Sequence, residues 1–146
     1  MSREYPERPI VGIGAVVLRG AEVLLIRRGK PPRAGGWSLP GGAQKLGETV
    51  FEGACREVLE ETGVDVQVLG LVDVVDSLTH DGDGRLQYHY TLVDVACRWV
   101  SGTAQAGGDA AAAEWVALDA LDGLGLWSET RRIIDLAAEM AAALDA

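Results

Sequence analysis

The segment GAQKLGETVFEGACREVLEETGV, Gly42–Val64, ends in three glutamates crowded before a glycine: Glu57, Glu60 and Glu61. Thr49 and Glu52 have the spacing of a capping box, in which a hydroxyl and a carboxylate cover the first free N–H groups of a helix. Gly63 suits the left-handed residue that closes a helix. The spacing therefore predicts a helix from about Thr49 to Thr62. At about 100° per residue, Phe51, Ala54, Cys55, Val58 and Leu59 form an apolar arc that should face a sheet. Glu57, Glu60 and Glu61 fall together on roughly the opposite side, with Gly53 beside them. Carboxylates three and four apart repel by a few tenths of a kcal/mol per pair. The negative end of the helix dipole disfavours them further. Arg56 is a single cation against three anions. A divalent cation such as Mg²⁺, or Mn²⁺ in its place, would relieve the crowding, because such ions prefer hard oxygen donors completed by water and phosphate. For these residues taken alone, a solvated acidic helix face is the competing reading.

The chain of 146 residues is 48% apolar and 24% charged, the proportions of an ordered globular protein. Its length suits one domain over residues 1–146. No apolar run approaches the roughly 18 residues needed to span a bilayer, so no membrane association is expected. The polar start MSREYPERP does not have the form of a secretory signal. Cys55 and Cys97 fit no CxxC spacing and read as buried thiols of a reducing compartment, which points to the cytoplasm. A net charge of −9 argues against binding a nucleic-acid polymer through its phosphates. The distribution is uneven. Residues 1–45 carry eight Lys/Arg against three Asp/Glu, and residues 46–146 carry five against nineteen. A basic segment thus leads into an acidic one, a layout suited to a small polyanion held between cationic side chains and metal-bound carboxylates.

Outward from the helix, IVGIGAVVLRG and EVLLIRRG are β-branched runs that read as a hairpin. KPPRAGGW is a loop, and WSLPGGAQKLGE continues as a short extended piece and a glycine-punctuated turn. VDVQVLGLVDVVDSL and LQYHYTLVDVACRWV alternate as two long strands joined by the polar turn THDGDGR. SGTAQAGGDAAA reads as a loop, AEWVALDAL as a short strand entering a turn. The end, SETRRIIDLAAEMAAALDA, is an amphipathic helix with Ser128 as its expected N-cap. Strands, helix, strands, helix indicate an α/β chain with helices packed on a mixed sheet.

The decisive spacing is Gly42, five residues, Glu48, seven residues, then Arg56-Glu57-Val58-Leu59-Glu60-Glu61-Thr62-Gly63-Val64. It resembles the Nudix box, G-x5-E-x7-R-E-U-x-E-E-x-G-U with U aliphatic, at every position. Seven fixed identities, each at an average usage of roughly 7%, recur by chance in well under about one in ten million windows. The flanks RRGKPPRAGGWSLPGG and AAAEWVAL are also similar to this family of MutT/Nudix hydrolases. The resemblance implies an α/β/α sandwich with a mixed central sheet, the box forming a loop–helix–loop. It implies Mg²⁺-dependent attack of water on a phosphorus of a nucleoside diphosphate derivative. Position by position, Glu60 and Glu61 correspond to metal ligands, and Glu57 to a ligand or the general base. The Gly41 carbonyl corresponds to a further ligand. Arg56 would orient the glutamates, Glu48 would support the loop, and Gly42 and Gly63 would be structural.

Relatives of this kind also use a carboxylate on a loop before a Trp-bearing strand, as ligand or base. Asp109, six residues before Trp115, occupies that place, with Glu114 as competitor. Arg27, Arg28, Lys30 and Arg33 are the candidates for phosphate contact, Arg28 foremost. Tyr88 and Tyr90 share one strand face and His89 the other. Tyr88 suits either base stacking or core packing. His80 and Asp81 in the hairpin turn are further substrate candidates. Trp37 is expected beside the box loop. About fifteen residues past the box, where ADP-ribose hydrolases often carry a proline, this chain has Thr79. The tyrosine of diadenosine-polyphosphate hydrolases is replaced by His80. NADH- and coenzyme A-type signatures are missing. The hairpin DGDGR…YHYTLVDV is similar to small ADP-ribose or nucleotide-sugar hydrolases, which makes those substrates the leading expectation and (d)NTPs the alternative. A non-catalytic Nudix sensor would ordinarily have lost box carboxylates. An isopentenyl diphosphate isomerase would need a cysteine before the helix. A homodimer is left open.

Overall fold

The computed structural model describes residues 3–30 and 35–146. Among these residues seven strands form one mixed sheet: β1 (Ile10–Arg19), β2 (Glu22–Arg28), β3 (Trp37–Ser38), β4 (Gly41–Ala43), β5 (Asp65–His80), β6 (Leu86–Ser101) and β7 (Ala110–Ala117). Two helices, α1 (Val50–Thr62) and α2 (Ser128–Asp145), cover it. This is the mixed sheet with packed helices expected from the order of elements, and the α/β/α sandwich implied by the resemblance. β1 and β2 pair only beside their turn, Leu18 with Val23 and Arg19 with Glu22. They then diverge. β1 runs parallel to β6 on one side and antiparallel to the short β4 on the other. β2 takes β3 and β7, and β5 completes a long antiparallel hairpin with β6.

Alternation along the buried strands divides the core in two. Ile13, Ala15 and Val17 of β1 pack with Val95 and Cys97 of β6 against Ala54 and Val58 of α1. Val16 and Leu18 of β1 pack with Ala96 of β6 against Ile133, Ile134 and Ala137 of α2. Burial of Val58, Ile133 and Ile134 to 1% exposure or less fixes both helices on the sheet.

The caps of α1 match the sequence. The Thr49 hydroxyl accepts from the Glu52 N–H at 3.1 Å and the Glu52 carboxylate accepts from the Thr49 N–H at 2.9 Å. Gly63 stands at φ 72°, and its N–H donates to the Leu59 carbonyl at 2.9 Å. Other expectations need correction. The buried stripe of α1 is Gly53, Ala54, Val58, Glu61 and Thr62, whereas Phe51 and Leu59 are about half exposed. The helix is rotated from the arc drawn through its apolar residues, because β4 crosses one flank and accepts carboxylates there. Cys55 is half-buried and Cys97 buried, both as free thiols. Ser128 is the first residue of α2 rather than its cap, and Trp127 holds the cap position. Strand β7 begins at Ala110, directly after Asp109.

Candidate active site

Glu57 and Glu61 leave α1 toward β4. The Glu61 carboxylate accepts the Gly41 N–H at 2.7 Å and is nearly buried, the residue being 6% exposed. Burial pushes its pKa up to about 7 against the opposing effect of the Gly41 bond; Glu57 and Asp109 add repulsion, and Arg28 offsets part of it. The Glu57 carboxylate lies over Gly42, where a Cβ would stand 2.6 Å from its Oε1. Any side chain at position 42 would therefore displace it, which is why the close approach requires glycine.

Glu60 differs from its neighbours. It turns outward, half exposed, toward Arg56 at 3.2 Å and Lys45 at 3.8 Å. The three glutamates expected on one face are thus divided, two inward and one at the rim. Among the described residues no three His, Cys, Asp or Glu side chains converge as a ready-made metal cage. The donor set present is one of hard carboxylate oxygens, with Glu61 fastened to β4 through the Gly41 N–H, and such donors fit Mg²⁺ or Mn²⁺.

Arg56 ties the segment together. Its guanidinium donates to both oxygens of Glu48, at 2.6 and 2.8 Å, to Glu57 at 2.7 Å and to the Ala43 carbonyl at 3.3 Å. Glu48 is held well below the ordinary carboxylate range, at about 2, by the Arg56 hydrogen bond first and the Lys45 N–H second. Glu48 also abuts Gly53, so the loop before α1 is fastened to its first turns.

A cavity of about 550 Å³ opens beside Gly41, Gly42 and Glu57. Arg28, Lys30 and Asp109 stand at this end. Asp109 pairs with Lys30 at 2.9 Å, and its carbonyl accepts the Gly29 N–H at 3.0 Å. Glu114, the competitor, is exposed and lines a separate surface hollow with Arg19 and Trp115. Arg27 points away and lies over the Trp37 ring at 4.9 Å. Arg33 lies outside the described residues. Asp81 accepts from Tyr5 at 2.7 Å and from the Asp83 and Arg85 N–H groups, which makes it a turn residue. The cavity is also lined by Tyr88, Tyr90, Leu92 and Trp127 and by Asp94, which lies across β1 from Gly41 through their shared partner Gly14. Tyr88 is 7% exposed, so packing and cavity lining coincide in one residue. Asp94 was missed by sequence reasoning, since alternation puts it on the face of Tyr88 and Tyr90 but does not show that this face borders a cavity.

A NUDIX domain model matches residues 8–137. The ADP-ribose pyrophosphatase of Methanocaldococcus jannaschii is 35% identical over 113 residues, which cover 77% of this chain and 64% of that protein. The chain spans 47% of a second curated relative, from Bacillus subtilis. Among solved structures, a MutT NUDIX hydrolase from Burkholderia pseudomallei superposes with a TM-score of 0.76 at 33% identity, covering 89% of this chain and 98% of that one. An ADP-ribose pyrophosphatase from Streptococcus suis gives 0.69 at 27% identity, covering 92% of each. The box, its caps, the glutamates drawn onto β4 and the match over most of the length agree: the chain belongs to the NUDIX family.

Proposed function

We propose that this protein hydrolyses the pyrophosphate linkage of a nucleoside diphosphate derivative, with ADP-ribose or a nucleotide sugar as the substrate class. The observation that carries the reading is the juxtaposition of Glu57 and Glu61, which reach from α1 onto β4, with Arg28, Lys30 and Asp109 beside one cavity. A diphosphate needs cationic contacts and a carboxylate-held divalent ion within reach of the same phosphates, and both kinds of group meet here. ADP-ribose pyrophosphatases among the relatives support the choice of substrate.

Glu57, Glu60 and Glu61, with the Gly41 carbonyl, would hold Mg²⁺, which when bound neutralises phosphate charge and lowers the pKa of water. Arg56 fixes the Glu57 carboxylate and tethers the outward Glu60 to it through the same guanidinium. Arg28 and Lys30 bind phosphate oxygens. Asp109 or Glu57 takes the proton of the attacking water. Tyr88 packs against the nucleoside. The chain works as one domain on a small-molecule substrate.

The test is a panel of ADP-ribose, nucleotide sugars, dinucleotides and (d)NTPs with Mg²⁺, products resolved by chromatography. AMP and ribose 5-phosphate from ADP-ribose are expected. A nucleoside monophosphate with pyrophosphate, formed from triphosphates alone, would replace the substrate class. Silence across the panel with Mn²⁺ as well would overturn the reading.

A further inference from the structure

Asp94 is 6% exposed, yet its carboxyl lines the cavity rather than the surface. Among the described residues no hydrogen bond or ion pair reaches that carboxyl. Its oxygens therefore open to the cavity, where a partner can reach them, and a polar ligand that fails to pair with this nearly buried acceptor loses the exchange for water. The nearest cation is already taken: Arg132 donates to Asp73 at 2.9 Å and to Glu129 at 2.5 Å. The strand opposite makes room for the group. Gly14 of β1 is the register partner of Asp94 in β6, and a Cβ at Gly14 would overlap its Oδ1. The carboxyl is thus housed, unpaired and turned into a space walled by Tyr88, Tyr90, Leu92 and Trp127.

We propose that Asp94 is a specificity-determining residue that accepts a hydrogen bond from an amino-bearing edge of the substrate's nucleobase. The proposal rests on the reading above, in which the diphosphate occupies the Glu57–Arg28 end and leaves the rest of the cavity to the nucleoside. Aromatic and apolar walls favour a flat ring over a ribose, and a lone acceptor on the floor selects a ring that presents an N–H. A site built to pair a polar group rejects an analogue without it, because the buried acceptor is then left unsatisfied. Glu129 lines the same cavity but is held by Arg132, which leaves Asp94 to make the choice.

The experiment measures binding without metal or turnover. Calorimetry on the full chain compares AMP, GMP and CMP, each beside its counterpart lacking the exocyclic amino group. Wild-type protein is expected to bind at least one amino-bearing nucleotide about ten-fold or more tightly than its counterpart. Asp94→Leu, which keeps the branching at Cγ and removes both acceptors, should bring that ratio below about three-fold while its melting temperature rises. Gly14→Ala, which displaces the carboxyl, should lower the ratio too. A ratio that survives in folded Asp94→Leu protein overturns the proposal, as does wild-type protein that discriminates within no pair. Discrimination without ADP-ribose hydrolysis would remove the substrate reading alone. Hydrolysis without discrimination would remove the Asp94 proposal alone.

Discussion

Asp94→Asn should uncouple part of the stability of this protein from pH. Burial first, then the nearby Asp73 and Glu129 carboxylates, push the Asp94 pKa from 3.8 up to about 6, with Arg132 opposing. The folded state therefore holds a proton that the unfolded chain has released across that interval. A raised pKa contributes stability that is fully present below the unfolded value and is lost as pH rises through the folded value. One pKa unit corresponds to about 1.4 kcal/mol, so the full interval is worth roughly 3 kcal/mol and the part between about pH 4.5 and 7.5 roughly 2 kcal/mol. The asparagine variant does not titrate and escapes this loss. Urea unfolding of both proteins at pH 4.5, 5.5, 6.5 and 7.5 would measure it, since the other titrating groups cancel in the difference. The variant should gain on the parent by about 2 kcal/mol over that range, with most of the gain complete by about pH 6.5. A difference that stays flat with pH would refute the reasoning, because it would mean that the Asp94 carboxyl is solvated or paired in the folded state.

Other outcomes follow from the same geometry. Glu60→Gln and Glu61→Gln should each cut turnover by about 10²-fold or more with folding intact, and the rise in melting temperature on adding Mg²⁺ should shrink in both; near-parental turnover in the two variants would remove them from the site. Gly42→Ala puts a Cβ 2.6 Å from a Glu57 oxygen, so kcat should fall by about ten-fold or more while urea unfolding changes little. Gly63→Ala forces a side chain onto φ 72° and should cost about 1 kcal/mol of stability in the same unfolding assay, with kcat little changed. Val58→Ala, at a position with 0% exposure between α1 and the sheet, should cost about 2 kcal/mol.

What the sequence disclosed was local or periodic. The Thr49–Glu52 box and Gly63 mark both ends of α1 because capping involves residues within a turn of each other. The long strands β5 and β6 were legible from alternation and the turn between them. The spacing of Gly42, Glu48 and the Arg56–Gly63 run marked the site's identity. What it did not disclose depends on contacts between distant segments. The wheel of α1 could not show that β4 would reach across and draw Glu57 and Glu61 inward, since β4 is three residues long and reads as a turn. Glu61, placed by the wheel on the side away from the sheet, is instead buried against β4. Asp94 depends on a pairing between β1 and β6, some eighty residues apart, in which Gly14 supplies the missing volume. The Asp109 loop was placed by its distance to Trp115, and the structure separates it from Glu114 because β7 starts at Ala110 and turns Glu114 onto another surface.

The most direct test of the proposed chemistry is to turn over ADP-ribose with Mg²⁺ in ¹⁸O-labelled water and weigh the products by mass spectrometry. Attack of water on phosphorus predicts one phosphate-bound ¹⁸O atom per turnover, carried by either AMP or ribose 5-phosphate, and no reaction after chelation of the metal. Products with unlabelled phosphates, or turnover that continues at full rate in the presence of a chelator, would contradict it.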